Sequence, residues 1–377
     1  MWKIQLFKLN FDRHEVDAVS QIVKDGWLTM GEKISEFESS FSEYLGNNVQ
    51  SLAVSNGTAA LHMALMALDI GVDDEVIIPA LTFVADANSV HMVGAKPVLA
   101  DCNSLDDWNV SAASIEKRIT SKTKAVMVVH YAGFPCDMPS IQKLCLDKGL
   151  KLIEDVAHAP GAEIASRSCG TWGDISCFSF FSNKNLSIGE GGMVVTGNSQ
   201  IFQRLKHLRS HGMNTLTLDR HKGRAISYDV IEPGLNYRMD EMRAAIGLVQ
   251  LKKLSAGNKR RKELTDLYRY NLAGSKISIP FEKLAKNSIS AHHILPVLLP
   301  EGVNRVDVIA YLKERGIQSS IHYPPFWNFT AYKDDYSPID APNAAIICER
   351  ELTLPLFPTM TNKEVDLVTE SLLDSLN

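Results

Sequence analysis

The sequence predicts an α/β protein: a large domain on a mostly parallel sheet with helices on both faces, then a smaller C-terminal α+β domain. Three observations predict it. Between about residues 50 and 200, short apolar runs alternate with helix-like stretches, the pattern of parallel strands joined by crossover helices. After about residue 198 that alternation stops and helical patterns dominate. The chain has 377 residues, 45% of them hydrophobic, which is enough for more than one core.

Taken in order, the strand-like runs are Ser51–Ser55, Glu75–Pro79, Pro97–Asp101, Ala125–His130 and Leu152–Glu154. Helix-like stretches fall between them, at Thr58–Leu68, Val84–Val93, Ser114–Ile119 and Pro139–Lys148. Two further β-rich runs, Ile175–Phe181 and Met193–Thr196, flank a glycine-rich turn. Helical patterns follow at Gln200–Arg209, Met239–Leu254 and Lys262–Leu272. The last part reads as strand His293–Leu299, helix Val306–Arg315, strand Ile317–Ile321 and helices Ala344–Glu351 and Lys363–Leu373. A boundary near residue 250 separates a domain of residues 1–250 from one of residues 251–377, with the N-terminal segment free to pack on the smaller one.

Charge and composition exclude several functions. Lys plus Arg total 39 against 44 for Asp plus Glu, a formal net charge of −5. A mildly acidic chain without a basic tail argues against nucleic acid as a partner. The densest basic run, Lys259-Arg260-Arg261-Lys262, reads as the solvated face at the start of a helix. Six cysteines form no C-x-x-C pair, which suits reduced core thiols in a cytoplasmic protein. The first fifteen residues carry no signal-peptide core and no apolar run approaches the ~20 residues of a membrane span. A cytoplasmic location away from membranes is therefore expected. The eleven histidines show no metal-ligand spacing, and the adjacent His292 and His293 would point opposite ways on a strand. No metal site is expected.

Four segments carry unusual residue choices where strands end, the place where ligands gather in a parallel sheet. In Ser55-Asn56-Gly57-Thr58 a strand runs into a helix start, which suits a phosphate but equally an ordinary cap. In Glu154-Asp155-Val156-Ala157-His158 two adjacent carboxylates end a strand. One can be solvated; a buried Asp155 needs a partner, either an ordinary ion pair or a protonated pyridine nitrogen. In Phe178-Ser179-Phe180-Phe181-Ser182-Asn183-Lys184 a strand delivers a lysine into a turn ending in Gly189-Glu190-Gly191-Gly192. Apolar surroundings push an amine toward its neutral, nucleophilic form, whereas an ordinary lysine after a strand is simply exposed. Finally, Gly234-Leu235-Asn236-Tyr237-Arg238 leads into an Ala-rich helix, which suits a subunit interface or an ordinary buried helix alike.

In their order and spacing these motifs resemble the DegT/DnrJ/EryC1/StrS family of sugar aminotransferases, on the aspartate-aminotransferase (type I) fold of pyridoxal-phosphate enzymes. The resemblance begins with Gly26-Trp27-Leu28-Thr29 and Gly31 and reaches Gly316-Ile317-Gln318-Ser319-Ser320-Ile321-His322-Tyr323. It implies that Lys184 holds pyridoxal 5'-phosphate (PLP) as a Schiff base and that Asp155 bonds the ring nitrogen. It implies that His158 contacts the phenolic oxygen, that Phe83 stacks on the ring, and that Gly57, Thr58 and Ser179 bind the phosphate. Asn236 would reach the phosphate of a neighbouring subunit, so a homodimer with shared active sites is implied. His322 and Tyr323 fall near the substrate in relatives.

The implied reaction moves an amino group from an amino donor, glutamate in most of the family, to a keto sugar, for lipopolysaccharide or other amino-sugar biosynthesis. Ser182-Asn183 departs from the family, in which Pro or Ala followed by Thr is common; these residues shape the turn. The loop Gly26–Gly31, the stretch Thr215–Tyr228 with Arg220 and His221, and the surroundings of His322 are the candidates for sugar selection. Relatives that remove a sugar hydroxyl carry histidine in place of the lysine, which separates this chain from them. A nicotinamide oxidoreductase would need G-x-G-x-x-G after a strand, which the sequence lacks. A non-catalytic regulator on this fold would more often have lost Lys184 or Asp155.

Overall fold

The computed structural model describes residues 2–46, 48–214, 227–282 and 287–376. Its strands in chain order are β1 (Gln50–Val54), β2 (Glu75–Pro79), β3 (Lys96–Ala100), β4 (Thr123–Val129), β5 (Lys151–Asp155), β6 (Glu163–Ile164), β7 (Arg167–Ser168), β8 (Ile175–Ser179), β9 (Gly192–Thr196), β10 (Ser288–Ile289), β11 (Leu295–Leu298) and β12 (Glu351–Leu354). Seven of them form one sheet in the order β1-β9-β8-β5-β4-β2-β3. Only β9 runs against its neighbours; the remaining pairs are parallel. Along β2, Val76 and Ile78 enter one hydrophobic core and Ile77 enters another. Val126 and Val128 of β4 join Ile77, while Met127 joins the opposite core. A strand buried on both faces needs no polar alternation, which is why these runs read as continuously apolar.

The elements match the sequence reading in order, with ends shifted by a residue or two, as helix and strand termini usually are. The larger departures have physical reasons. Met239–Leu254 and Lys262–Leu272 are one helix, Glu241–Asn271, of 31 residues. The polar stretch between them looked like a break. Instead Asn258 uses its side chain on other elements: its amide donates to the Pro160 carbonyl at 2.9 Å and its oxygen accepts from Asn185 at 2.8 Å. The helix runs straight through residue 250, and carries the chain from the core of Ala244 and Leu254 to that of Leu264 and Tyr268.

The basic run lies inside this helix and is not wholly solvated. Arg261 is buried and donates to the carbonyls of His293 (3.0 Å) and Leu356 (2.8 Å); burial pushes its guanidinium down to about 10. Ile317–Ile321 makes only single bridges, Ile4 with Ile317 and Ser320 with Thr353. Glu351 opens β12 rather than closing a helix, and pairs with Leu298 of β11. His292 and His293 precede β11 and are both buried. The N-terminal segment does pack on the C-terminal core: Lys3 donates to the Gly316 carbonyl at 2.8 Å, and Ile4 joins Leu264, Val308 and Leu352. All six cysteines are buried and unpaired. No helix among the described residues is long and apolar enough to cross a membrane.

Two helices precede β1, at Arg13–Asp25 and Glu32–Leu45. The first carries a readable signal, a capping box of Asp12 and Glu15. The second has no cap of its own. Glu241, buried at the start of the long helix, accepts from the amides of Gly31 (2.9 Å), Lys33 (2.9 Å) and Ile34 (3.0 Å). A single carboxylate thus satisfies the open amides of a helix that begins 209 residues earlier in the chain, at Glu32. A hydrogen bond to a charged group contributes about 1.5–3 kcal/mol net of exchange with water, and the three here share one carboxylate, so their loss is less than additive. Glu241→Ala should lower stability by about 2–3 kcal/mol in urea titration, and Glu241→Gln, which keeps one accepting oxygen, by less.

Candidate active site

A cleft of about 580 Å3 opens where the carboxyl ends of β1, β2, β5 and β8 meet. Size does not single it out, since clefts of about 710 and 720 Å3 lie elsewhere. Its side chains do. Gly57, Thr58, Phe83, Asp155, His158, Ser179, Lys184, His322 and Tyr323 all line it. Asn236 does not: it is exposed and bridges to Ser210, while its neighbour Tyr237 faces the cleft. The loop Gly26–Gly31 is likewise absent from the lining. Arg220 and His221, with residues 215–226, lie outside the described residues.

Lys184 sits in the turn after β8, its amide donating to the Phe181 carbonyl at 2.8 Å. The residue is half-buried, and its amine is desolvated. Burial pushes it down to about 8, against the opposing pull of Asp155 and Asp86. At neutral pH this raises the neutral fraction roughly 300-fold over an ordinary lysine. Asp155 ends β5, 8% exposed, with one oxygen accepting the Ala157 amide at 2.8 Å. Burial raises its carboxyl above the usual range, opposed by the Ala157 amide and by Lys184.

The preceding residue serves the scaffold. Glu154 is fully buried and accepts from the amides of Gly170 (2.8 Å), Trp172 (2.7 Å) and Gly173 (2.8 Å), and from the Ser176 hydroxyl at 3.0 Å. Its other contact is His130 Nε2 at 3.1 Å. Despite burial, these partners hold it below the usual carboxylate range. The two carboxylates therefore do different work, because alternate strand residues face opposite sides.

His158 is buried, and its Nδ1 accepts the Ala132 amide at 3.3 Å. The proton must then sit on Nε2, which lies 2.9 Å from the Tyr323 hydroxyl oxygen. Nε2–H donates to that oxygen, leaving the phenol O–H free to donate into the cleft. Burial, with Lys184 and His322 nearby, keeps His158 neutral by pushing it well below its usual value. Burial, with Lys184, likewise pushes His322 down to about 3. Its amide donates to Glu351 at 2.8 Å, its Nδ1 lies 2.9 Å from the Thr353 hydroxyl, and its carbonyl accepts from Tyr131.

The helix start at Gly57 is built by close approach. Asn56 caps the Ala59 amide at 2.8 Å, so the amides of Gly57 and Thr58 begin the helix Gly57–Ala67 without an intrahelical partner. A Cβ at Gly57 would fall 2.9 Å from the Ser179 Cβ; glycine lets the hydroxyl reach the helix start. Phe83 is 53% exposed over the cleft, its ring centroid 5.5 Å from that of Tyr323. Three contributors had escaped the sequence reading. Asp86 is fully buried, its carboxyl next to that of Asp155. Asn183 lines the cleft with a buried oxygen that has no protein partner, so the family departure lies at the cavity and not only in the turn. Glu190 also reaches the lining. Among the described residues no group of three or more His, Cys, Asp or Glu could hold a metal ion.

This donor set fits PLP. It offers a desolvated amine for an aldehyde, a buried carboxylate for a ring N–H, and a helix start with a hydroxyl for a phosphate. A family model for the DegT/DnrJ/EryC1/StrS aminotransferase family matches residues 10–373. Uncharacterized protein MJ1066 of Methanocaldococcus jannaschii is 38% identical over 368 residues, 95% of this chain and 94% of its own. Spr1654 of Streptococcus pneumoniae, solved in a PMP-form, superposes with TM-score 0.91 at 28% identity over 100% of this chain and 98% of that one. Its PLP-form superposes with TM-score 0.90, again at 28% identity. Helicobacter pylori PseC, an aminotransferase involved in the biosynthesis of pseudoaminic acid, gives TM-score 0.89 at 27% identity over 99% and 98% of the two chains.

Borohydride reduction of the PLP-loaded protein should leave a covalent label on the Lys184 peptide in mass spectrometry, and none on Lys184→Ala. Capture of PLP by the cofactor-free protein should accelerate as pH rises through about 8, because the neutral amine is the reacting form. A rate that climbs only above about pH 10, the range of an exposed lysine, would mean that burial does not act on this amine.

Proposed function

The chain belongs to the DegT/DnrJ/EryC1/StrS aminotransferase family and is a PLP-dependent sugar aminotransferase; we propose that it moves the amino group of L-glutamate to the keto carbon of a nucleotide-linked or free oxidised sugar. The observation that carries this reading is the buried Lys184 amine sharing one cleft with the Asp155 carboxylate.

PLP supplies the aldehyde that takes up the amino group and a ring that accepts electrons as the substrate C–H bond breaks. The chain's own residues do the rest. The amides of Gly57 and Thr58 and the Ser179 hydroxyl bind phosphate. The Asp155 carboxylate holds the proton on the ring nitrogen. Phe83 orients the ring by stacking. Lys184 Nζ, once free, takes the proton from the substrate carbon and returns it one position away, as a general base and then acid. The Tyr323 hydroxyl, aimed into the cleft by His158, donates to an oxygen there. PseC's part in pseudoaminic acid biosynthesis supports a sugar of the kind built into surface glycans.

The working unit of this proposal is a homodimer with shared sites. The exposure of Asn236 away from its own cleft supports a role in the partner's site.

Purified protein with glutamate should aminate one member of a panel of keto sugars, free and nucleotide-linked, with stoichiometric 2-oxoglutarate; absence of 2-oxoglutarate with every acceptor would refute transfer from glutamate. Asp155→Asn should retain PLP yet transaminate at least 100-fold more slowly, as expected for a lost charge-stabilising partner. Mixing Lys184→Ala with Asn236→Ala protein should restore activity in heterodimers, and no recovery after demonstrated subunit exchange would refute shared sites.

A further inference from the structure

Asp86 lies in the first turn of the helix Ala85–Met92 and is fully buried. One of its oxygens accepts from the Thr82 hydroxyl. The other is buried and finds no N–H or O–H donor in the protein, and the Asp86 carboxyl lies next to that of Asp155, near enough for one proton to join them. Two carboxylate anions cannot be joined in this way, since neither has a proton to donate. A carboxyl pair in one dry site shares a single proton.

The surroundings decide which of the two keeps it. Asp155 has the Ala157 amide on one oxygen and is favoured as an anion by Lys184, with a smaller contribution from His130. Asp86 has one hydroxyl donor and is the more deeply buried of the two. Lys184 also acts on Asp86, but less than the repulsion from Asp155. The other titratable groups facing the pair are Cys177 of β8 and Tyr323, and both are pushed further from ionisation by it. The helix start favours an anion at Asp86, but that weak effect does not offset burying a second like charge beside the first. Burial, then Asp155, push the Asp86 carboxyl well above its usual range.

We propose that Asp86 stands as a neutral carboxylic acid that donates a hydrogen bond to Asp155, making it a positioning residue that keeps Asp155 ionised and aimed at the ring nitrogen. The inference rests on the reading of Asp155 as the partner of that nitrogen. It gives the cleft one carboxylate charge from two carboxyls, matched to one ring N–H.

The test is infrared spectroscopy of the PLP-loaded protein near neutral pH, in water and deuterium oxide, with pH profiles of kcat/KM. Glu351, pushed up to about 8, gives a protonated-carboxyl band of its own, so the signal is a difference: wild type minus Asp86→Asn should show one further exchangeable C=O stretch, and Asp155→Asn should retain it. Asp86→Asn keeps a neutral donor, so its rate should stay within about threefold and its acid limb should not move. Asp86→Leu removes the donor, so Asp155 becomes harder to ionise; the acid limb should move to higher pH and kcat should fall at least tenfold with little change in KM. A difference spectrum without that band, or a band lost in Asp155→Asn but kept in Asp86→Asn, would overturn the proposal. So would a downward shift of the acid limb in Asp86→Asn, the sign that a negative charge had been removed. The band can be read before any acceptor sugar is found, so failure here and failure of the functional reading are distinguishable.

Discussion

The cleft is built around one electrostatic constraint: the Lys184 amine is buried beside the Asp155 carboxyl, and each favours the charge of the other. Burial alone would neutralise both Lys184 and Asp155. Their mutual attraction opposes that, and the amine settles near 8. The buried titratable groups packed around the cleft add little further charge. His158, His293 and His322 are all pushed toward neutrality by burial, and Glu351 beneath them is pushed up to about 8. An additional ionised group at this depth would act on Lys184 and Asp155 with little screening.

The scaffold meets the constraint through strand direction and residue alternation. β5 and β8 are parallel neighbours, so Asp155 and the turn holding Lys184 emerge at the same edge. Period-two alternation along β5 turns Glu154 to the other side, where it fastens the Gly170–Gly173 loop and Ser176. β1, antiparallel to β9 and thus parallel to β8, ends on the same side and brings the helix start of Gly57 against Ser179. The adjacent residues Glu154 and Asp155 thus have separate hydrogen-bond partners.

Much of this was legible in the residues. Short apolar runs gave the parallel sheet, strand ends flagged Gly57, Thr58, Asp155, His158, Ser179 and Lys184, and the family resemblance added Phe83, His322 and Tyr323. What escaped reading did so for identifiable reasons. Asn258 and Arg261 look like a break and a solvated face because their partners, Pro160, Asn185, His293 and Leu356, are remote in sequence. The helix Glu32–Leu45 lacks a local start signal because Glu241 supplies it from another element. Asp86 resembles any acid in a first helical turn, and only its packing against Asp155 gives it a different character.

The sequence by itself determined the order of elements, the α/β class, the lysine after β8, the acid at the end of β5 and the helix start at Gly57. These are properties of neighbours along the chain, and backbone periodicity translates them directly. Tertiary structure alone decided which of two adjacent carboxylates faces the cleft, which ring nitrogen of His158 carries the proton, and how readily Lys184 gives up its own. Each of those is set by a sum over groups brought together from distant segments, at distances that fall steeply in effect and that no local pattern encodes.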